Sequence, residues 1–412
     1  MKFRNRLIPM MMAVTILFGG CSLSGANRYY SKALDAYEDK DYQVSQEYFV
    51  KAINENKDKA EYHIDYGFTL ICLNEFAKAR EEFDYVILDK EIGMVRENNK
   101  KAYRGIGISY LLEYQYDLAV MNFDLALGIK DLKELNTDLL FYKASALEQK
   151  GDLEAAAGIY TNLLEQKPKD AAIYSARANI YRLIGNYELS IDDYDQAIEL
   201  SPQDFNLYLG KFASFMELNK KEEAQAVLAQ AVQLKIDSDK DKFELAKVHF
   251  YQGDYEIALN EFTSLIEKGF TEGYYYIGEI YLQQLDYEGA LAQFELYLNS
   301  GNKEFGLLYN QMLTCYLQTG KLPVAKECLD KAKKIADITI KDSLLKNEII
   351  YYEKAGEYEI AYTLISQYLA KYPDDNLAKK DFYFIKTRVE GANQIASEED
   401  ITSENEPIVE KP

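Results

Sequence analysis

One phrase recurs along this chain of 412 residues. It reads GNYELSIDDYDQAIELSPQD at Gly185–Asp204, GDYEIALNEFTSLIEKG at Gly253–Gly269 and DYEGALAQFELYLNSG at Asp286–Gly301. Aligned on the turn, the copies share an outline. An aromatic is followed by an apolar and a small residue, then a second aromatic, and later by a small residue with an aromatic four places on. Tyr103, Ile106, Gly107, Tyr110, Ala119 and Phe123 make one copy. Tyr274, Ile277, Gly278, Tyr281, Ala290 and Phe294 make another, and His63, Tyr66, Gly67, Leu70, Ala79 and Phe83 a third. Ten copies start near Ala26, Ala60, Lys100, Thr137, Ala171, Phe205, Asp239, Thr271, Gly306 and Asp342. Four of the nine intervals are 34 residues and the others run from 32 to 40. The two longest carry extra residues around EIGMVRENN and IKDLKELN.

Within a copy the apolar residues fall three and four apart, which gathers them on one helical face. Gly151-Asp152, Gly185-Asn186 and Gly253-Asp254 interrupt the middle of three copies. Glycine takes the left-handed turn that ends a first helix, and Asp or Asn is suited to cap a second. Each copy is therefore expected to be a helical hairpin. Gly107, Gly278, Ala119 and Ala290 let two backbones approach, with the aromatics filling the space between. Two short helices bury too little surface alone, so the hairpins must stack. Pro168, Pro202 and Pro373 stand at copy ends, where a helix should stop.

The outline resembles the tetratricopeptide repeat, with Tyr generally in place of the repeat's Trp. The chain has no Trp and 36 Tyr. The resemblance implies an all-α fold, a superhelical solenoid of about ten helical hairpins over 26–375 with a C-terminal capping helix over 376–391. In that helix Leu377, Phe382, Phe384 and Ile385 are expected to pack inward. The stretch 392–412 is acidic and free of aromatics, and is expected to be a disordered tail.

The N-terminus is organised differently. Lys2, Arg4 and Arg6 precede the apolar run LIPMMMAVTILF, then GGC. A basic start, a short apolar stretch and small residues read as an export signal too short to span a bilayer. With Cys21 directly after Gly19-Gly20, residues 1–20 resemble a bacterial lipoprotein signal, although Phe18 stands where that family usually has Leu. The resemblance implies cleavage before Cys21 and lipidation of its thiol. Residues 21–25 then form a tether of at most about 18 Å, and two or more acyl chains hold the protein on a membrane. Such a protein resides in the bacterial cell envelope, on the extracytoplasmic side.

The net charge is −21, and near −24 after removal of residues 1–20. This argues against nucleic acid as a partner, because backbone binders need a basic patch. Walker, Rossmann, HExxH and GxSxG motifs are missing from the sequence, as is any CxxC spacing. No catalytic residue, metal or cofactor is therefore expected, and the chain does not read as an enzyme. His63 and His249 occupy core positions of the pattern. Cys315 and Cys328 read as buried thiols, with a disulfide between them the alternative for an exported protein.

In the tetratricopeptide family the first helices line an inner groove. The position after the first consensus aromatic, and the position four beyond it, commonly face that groove. Carried over, the rule singles out Tyr30, Phe68, Arg104, Phe141, Asn179, Phe243, Lys247 and Tyr275 as candidate partner-binding residues, and also takes in Ile64, Ser145, Glu279, Thr314 and Lys346. The mixture suits a protein or peptide laid along the groove. The alternative is that these side chains only pack on neighbouring helices. The Lys/Asn clamp of chaperone-tail binders is not matched, since Ser175 stands where it needs Lys and Gly210 where it needs Asn. The expected function is a membrane-anchored scaffold or adaptor. One alternative is a lipoprotein of an envelope assembly or secretion complex. Another, of a different class, is an enzyme or carbohydrate-binding component.

Overall fold

A computed structural model describes residues 25–335 and 338–403. The leader, Cys21 and the tail beyond 403 lie outside the described residues, as does most of the 21–25 tether. The described residues contain twenty-one α-helices, two short 3₁₀ turns and no strand. The chain divides into two units, Met1–Asp193 and Tyr194–Pro412, with the boundary inside one helix.

The first unit contains α1 (Gly25–Glu38), α2 (Tyr42–Glu55), α3 (Ala60–Cys72), α4 (Phe76–Val86), α5 (Gly93–Leu112), α6 (Tyr116–Gly128), α7 (Asn136–Lys150), α8 (Leu153–Gln166) and α9 (Ala171–Ile184). It also holds the start of α10 (Tyr187–Leu200). The second holds the rest of α10, then α11 (Phe205–Glu217), α12 (Lys221–Ala231), α13 (Asp239–Gln252), α14 (Tyr255–Ile266), α15 (Gly273–Gln283) and α16 (Tyr287–Asn299). It ends with α17 (Gly306–Gln318), α18 (Leu322–Ile335), α19 (Lys341–Lys354), α20 (Tyr358–Lys371) and α21 (Asn376–Ser403). Consecutive helices pair as hairpins, and within each unit each hairpin stacks on the next.

The pairing rests on small residues placed opposite rings. A Cβ on Gly67 would fall 2.6 Å from the Phe83 ring, and one on Gly107 2.5 Å from Phe123. In the second unit a Cβ on Gly278 would fall 2.5 Å from Phe294. Ala79, Ala119 and Ala290 are fully buried, as are the three phenylalanines. Only glycine permits this approach, so the pattern's small position is a steric requirement. The buried rings form continuous cores. One runs from Ala26 to Ala146, and another through Tyr160 to Ile180. In the second unit cores run from Phe205 to Val248, Ala246 to Ile280, Ala290 to Tyr351 and Ile349 to Ile385.

The turns show how the hairpins close. Gly151, Gly185 and Gly253 have φ of 96°, 90° and 87°, the left-handed conformation that ends a first helix. In other hairpins Lys40, Asn74, Tyr114, Asn219 and Leu285 hold that conformation without being glycine. Capping is less uniform than expected. Asp41 and Asp286 accept from the backbone N–H groups of Val44 and Gly289. Asp152 and Asp254 occupy the same place without a side-chain cap, their helix starts being held by the turn backbone instead.

The two long intervals converge on one spot. α5 begins at Gly93, seven residues ahead of the expected copy start, because the inserted EIGMVRENN extends the helix. Arg96 on that extension makes a bidentate ion pair with Asp131 at 2.8 and 3.2 Å, in the second insertion. Lys100 is fully buried, and its Nζ donates to Ile129 O (3.0 Å), Asp131 O (2.8 Å) and Asn136 Oδ1 (2.6 Å). Three acceptors satisfy the ammonium where water cannot reach it. Burial still lowers its pKa.

The last helix corrects two expectations. It runs to Ser403, twelve residues past the expected end at 391, through a stretch of good helix formers that contains no proline before Pro407. Its packed stripe is Ala378, Phe382 and Ile385, with Phe382 stacked on Tyr362 at 5.2 Å. Leu377 and Phe384 face outward, because the inward stripe repeats at i, i+4, i+7 from Ala378 rather than from Leu377.

Candidate functional site: the first-helix faces

The first helices of successive hairpins touch within each unit. In the first unit Tyr30 stacks on Tyr62 with centroids 4.6 Å apart, and its hydroxyl donates to Asp65 at 2.5 Å. Burial, then Asp65, raise the Tyr30 pKa, while burial lifts the Asp65 carboxyl to about 6 despite that hydrogen bond. Tyr62 in turn donates to Asn27 at 2.7 Å. Arg104 pairs with Asp138 at 2.5 Å, 34 residues on, and lies 5.3 Å from the centroids of both Phe68 and Tyr142. Burial opposes its charge, but Tyr142 and Asp138 raise its pKa overall. Tyr30 and Arg104 are thus buried links from one hairpin to the next.

Phe68 and Phe141 remain half-exposed, packed edgewise on Phe83 at 5.2 Å and tilted on Tyr160 at 5.5 Å. Asn179 is half-exposed and donates to Ser175 O at 2.9 Å, a bond along its own helix. Beside it Arg177 forms a bidentate pair with Asp193 (2.7 Å to each oxygen) between Tyr174 and Tyr181. The sequence reading did not single out Arg177 because its acidic partner lies on the second helix.

In the second unit α13 carries Phe243 and Lys247 and α15 carries Tyr275 and Glu279, all four at carried-over positions. Phe243 packs on Phe262, Phe270 and Tyr276 at 5.4–5.8 Å. Lys247 pairs with Glu244 one turn earlier at 2.6 Å. Tyr275 is half-buried against Phe294, Tyr297 and Phe305. One turn on, Glu279 is 8% exposed. Its Oε2 accepts from Gln311 Nε2 at 3.3 Å, and its Oε1 has no hydrogen-bond partner. Burial raises its pKa to about 7, against the lowering effect of Tyr275 and Gln311. Further along, Asn347 donates to Asn310 Oδ1 and Thr314 Oγ1, both at 2.9 Å.

The histidines and thiols are accounted for locally. His63 is buried, with Nδ1 2.6 Å from Glu82 and Nε2 2.8 Å from Lys57 O. Burial disfavours its charge, yet Glu82 and Lys57 raise its pKa overall. His249 lies 2.8 Å from Glu261. Cys315 and Cys328 are free and buried, and burial pushes both up to about 12. Among the described residues no group of three or more His, Cys, Asp or Glu is placed to hold a metal ion. No helix among them is long and apolar enough to cross a membrane.

Helical hairpins of about 34 residues, closed by glycine against phenylalanine and linked first helix to first helix, define a class: an array of tetratricopeptide-type repeats. Residues 138–205 and 243–304 match the family model for the tetratricopeptide repeat. The chain is similar, at 37% identity over 86 residues, to a protein SGT1 homolog of Oryza sativa subsp. japonica; the match covers 21% of this chain and 23% of that protein. The chain therefore spans under a quarter of the length of that curated relative. Among solved structures it is similar to the APC/C hetero-tetramer Cut9–Hcn1 (11% identity, TM-score 0.44, covering 88% of this chain and 96% of that one). It is also similar to a tetratricopeptide repeat protein from Parabacteroides merdae ATCC 43184 (18% identity, TM-score 0.42, covering 60% and 98%).

Proposed function

We propose that this chain is a scaffold that binds a protein or peptide partner on its first-helix faces and is held at a bacterial membrane, on the extracytoplasmic side, by lipid on Cys21. The observation that carries the binding reading is a pair of half-exposed aromatics on the first-helix faces of each unit, Phe68 and Phe141 in the first and Phe243 and Tyr275 in the second, beside polar groups. Such a surface offers apolar area with fixed donors and acceptors, as extended or helical ligands require. The anchoring reading rests on the basic start, the apolar run and the Gly-Gly-Cys sequence. The acidic surface keeps the body of the protein away from anionic lipid, so acyl chains rather than charge would hold it there.

Photo-crosslinkers at Ser145 and Asn179 test the binding face in cells of the source organism, with Leu189 and Ile257 as exposed controls on second helices. Discrete protein adducts from the first pair alone are expected. Adducts from the controls alone would move the site elsewhere, and glycan recovered without protein would favour the carbohydrate-binding reading. Cys21→Ala should release the protein from the membrane fraction, and retention there would remove the anchor.

A further inference from the structure

A cavity of about 370 Å³, open to solvent, lies in the first unit where α4, α5 and α6 meet. None of its lining residues stands at a carried-over first-helix position. Tyr103, Ile106 and Tyr110 of α5 line it, with Met121 of α6 and with Arg80, Glu81 and Asp84 of α4. Arg80 is already engaged. Its Nη1 donates to Glu113 at 2.5 Å and to Ser109 at 3.2 Å, and its guanidinium lies 4.4 Å from the centroid of the Tyr110 ring. Glu81 and Asp84 are exposed, and neither side chain has a hydrogen bond or ion pair among the described residues. Burial raises the Asp84 pKa against the lowering effect of Arg80. Tyr103 is half-buried, and its ring makes no aromatic or cation contact among the described residues. The cavity therefore combines apolar and aromatic walls with two unmatched negative charges. Leu118 and Leu125, about one turn to either side of Met121 on α6, are exposed with it.

We propose that this cavity seats a lysine or arginine side chain from a basic, amphipathic segment of a protein partner, whose apolar face lies along Leu118, Met121 and Leu125. Charge complementarity carries the argument. Such a side chain buries its methylene stem on apolar walls and keeps its charged head in water, here beside Glu81 and Asp84. A tyrosine ring attracts the head through its quadrupole, as Tyr110 already does for Arg80. The charge of Arg80 is matched by Glu113, so it neither repels the incoming cation nor recruits an anion. A free amine would fill the cavity and leave the α6 strip bare. That strip runs about 10 Å along the helix and joins the cavity at Met121, which a peptide segment covers and a small amine does not. The site stands apart from the first-helix faces and does not depend on them.

The test uses the full chain and a labelled amphipathic probe, the peptide acetyl-LKALLKALLKALLKA-amide, followed by fluorescence anisotropy at about 150 mM salt, where long-range attraction is screened. The same peptide with Gln in place of Lys is the uncharged comparison, and n-hexylamine is the free amine. Glu81→Gln with Asp84→Asn should weaken binding of the Lys peptide by about tenfold, with helicity unchanged by circular dichroism. Glu154→Gln with Glu188→Gln removes the same charge from exposed positions on α8 and α10 and should leave binding unchanged. The Gln peptide should bind more weakly than the Lys peptide. Equal effects of the two double variants, equal binding of the two peptides, or no peptide binding would overturn the proposal. Binding of n-hexylamine without binding of the peptide would also overturn it, by making the cavity a site for a free amine.

Discussion

Phe83 and Gly105 belong to neighbouring hairpins, and they are so close that a Cβ on Gly105 would overlap the Phe83 ring. The same ring lies against Gly67 of its own hairpin. One phenylalanine therefore closes a hairpin and binds it to the next. Gly105→Ala should destabilise the protein by about 1–3 kcal/mol through overpacking. Gly158 has open space around it on the exposed side of α8, and Gly158→Ala should stabilise by about 0.5–1 kcal/mol. Urea denaturation of both variants checks the pair; equal effects would refute the steric account.

Leu285 ends a first helix with φ of 60° and is 69% exposed. The left-handed conformation costs a branched side chain about 1–2 kcal/mol, and almost no packing is lost on truncation. Leu285→Gly should raise stability by about 1 kcal/mol, read as a shift of the denaturation midpoint. A loss would mean that the side chain holds the turn.

Glu279 should show the reverse of the usual carboxylate dependence. Burial raises its folded pKa to about 7, above the ordinary 4.5, so the folded state holds the proton more tightly than the unfolded chain. Its contribution is full below pH 4.5 and is lost as pH rises through 7. A shift of this size corresponds to on the order of 3 kcal/mol. Tyr251 and Cys315 are pushed up to about 12, and Tyr275 and Tyr276 are raised too, so all four stay neutral across this window. Lys247 on the same face lies 2.6 Å from Glu244. Glu279→Gln should therefore be more stable than wild type at pH 8 and close to it at pH 4.5. Thermal melts at the two pH values measure this, and a constant difference would contradict it.

Lys100 ties the second insertion to α5 through three acceptors. Lys100→Met leaves those acceptors without their donor, each costing about 1–3 kcal/mol if it stays buried. Residues 129–135 should then exchange backbone hydrogens at least about tenfold faster, with α1–α4 unchanged. Unaltered exchange in that loop would show that Arg96–Asp131 alone holds it.

The repeat was legible because its chemistry is local: Gly67 and Phe83, Gly107 and Phe123, Gly278 and Phe294 keep one spacing, and each pair meets within its own hairpin. The contact of Phe83 with Gly105 was less legible, since Gly105 lies outside the consensus outline. The candidate site was read only in part. Tyr30 and Arg104 sit at the carried-over positions, but Asp65 and Asp138 one repeat later engage them, and spacing alone does not reveal a charge partner. Glu279 sits at a carried-over position too, but its burial was not legible there, because spacing does not show how closely the next hairpin packs over it. On α21 the aromatic cluster hid the true stripe, which starts at the small Ala378.

The central claim is that neighbouring hairpins, rather than any hairpin alone, sustain the fold and so the faces it presents. Circular dichroism of the excised pair α3–α4, residues 60–86, tests this most directly. A largely unfolded spectrum is predicted, since short helices without a packed neighbour are marginal in water. A cooperatively melting, fully helical fragment would contradict it.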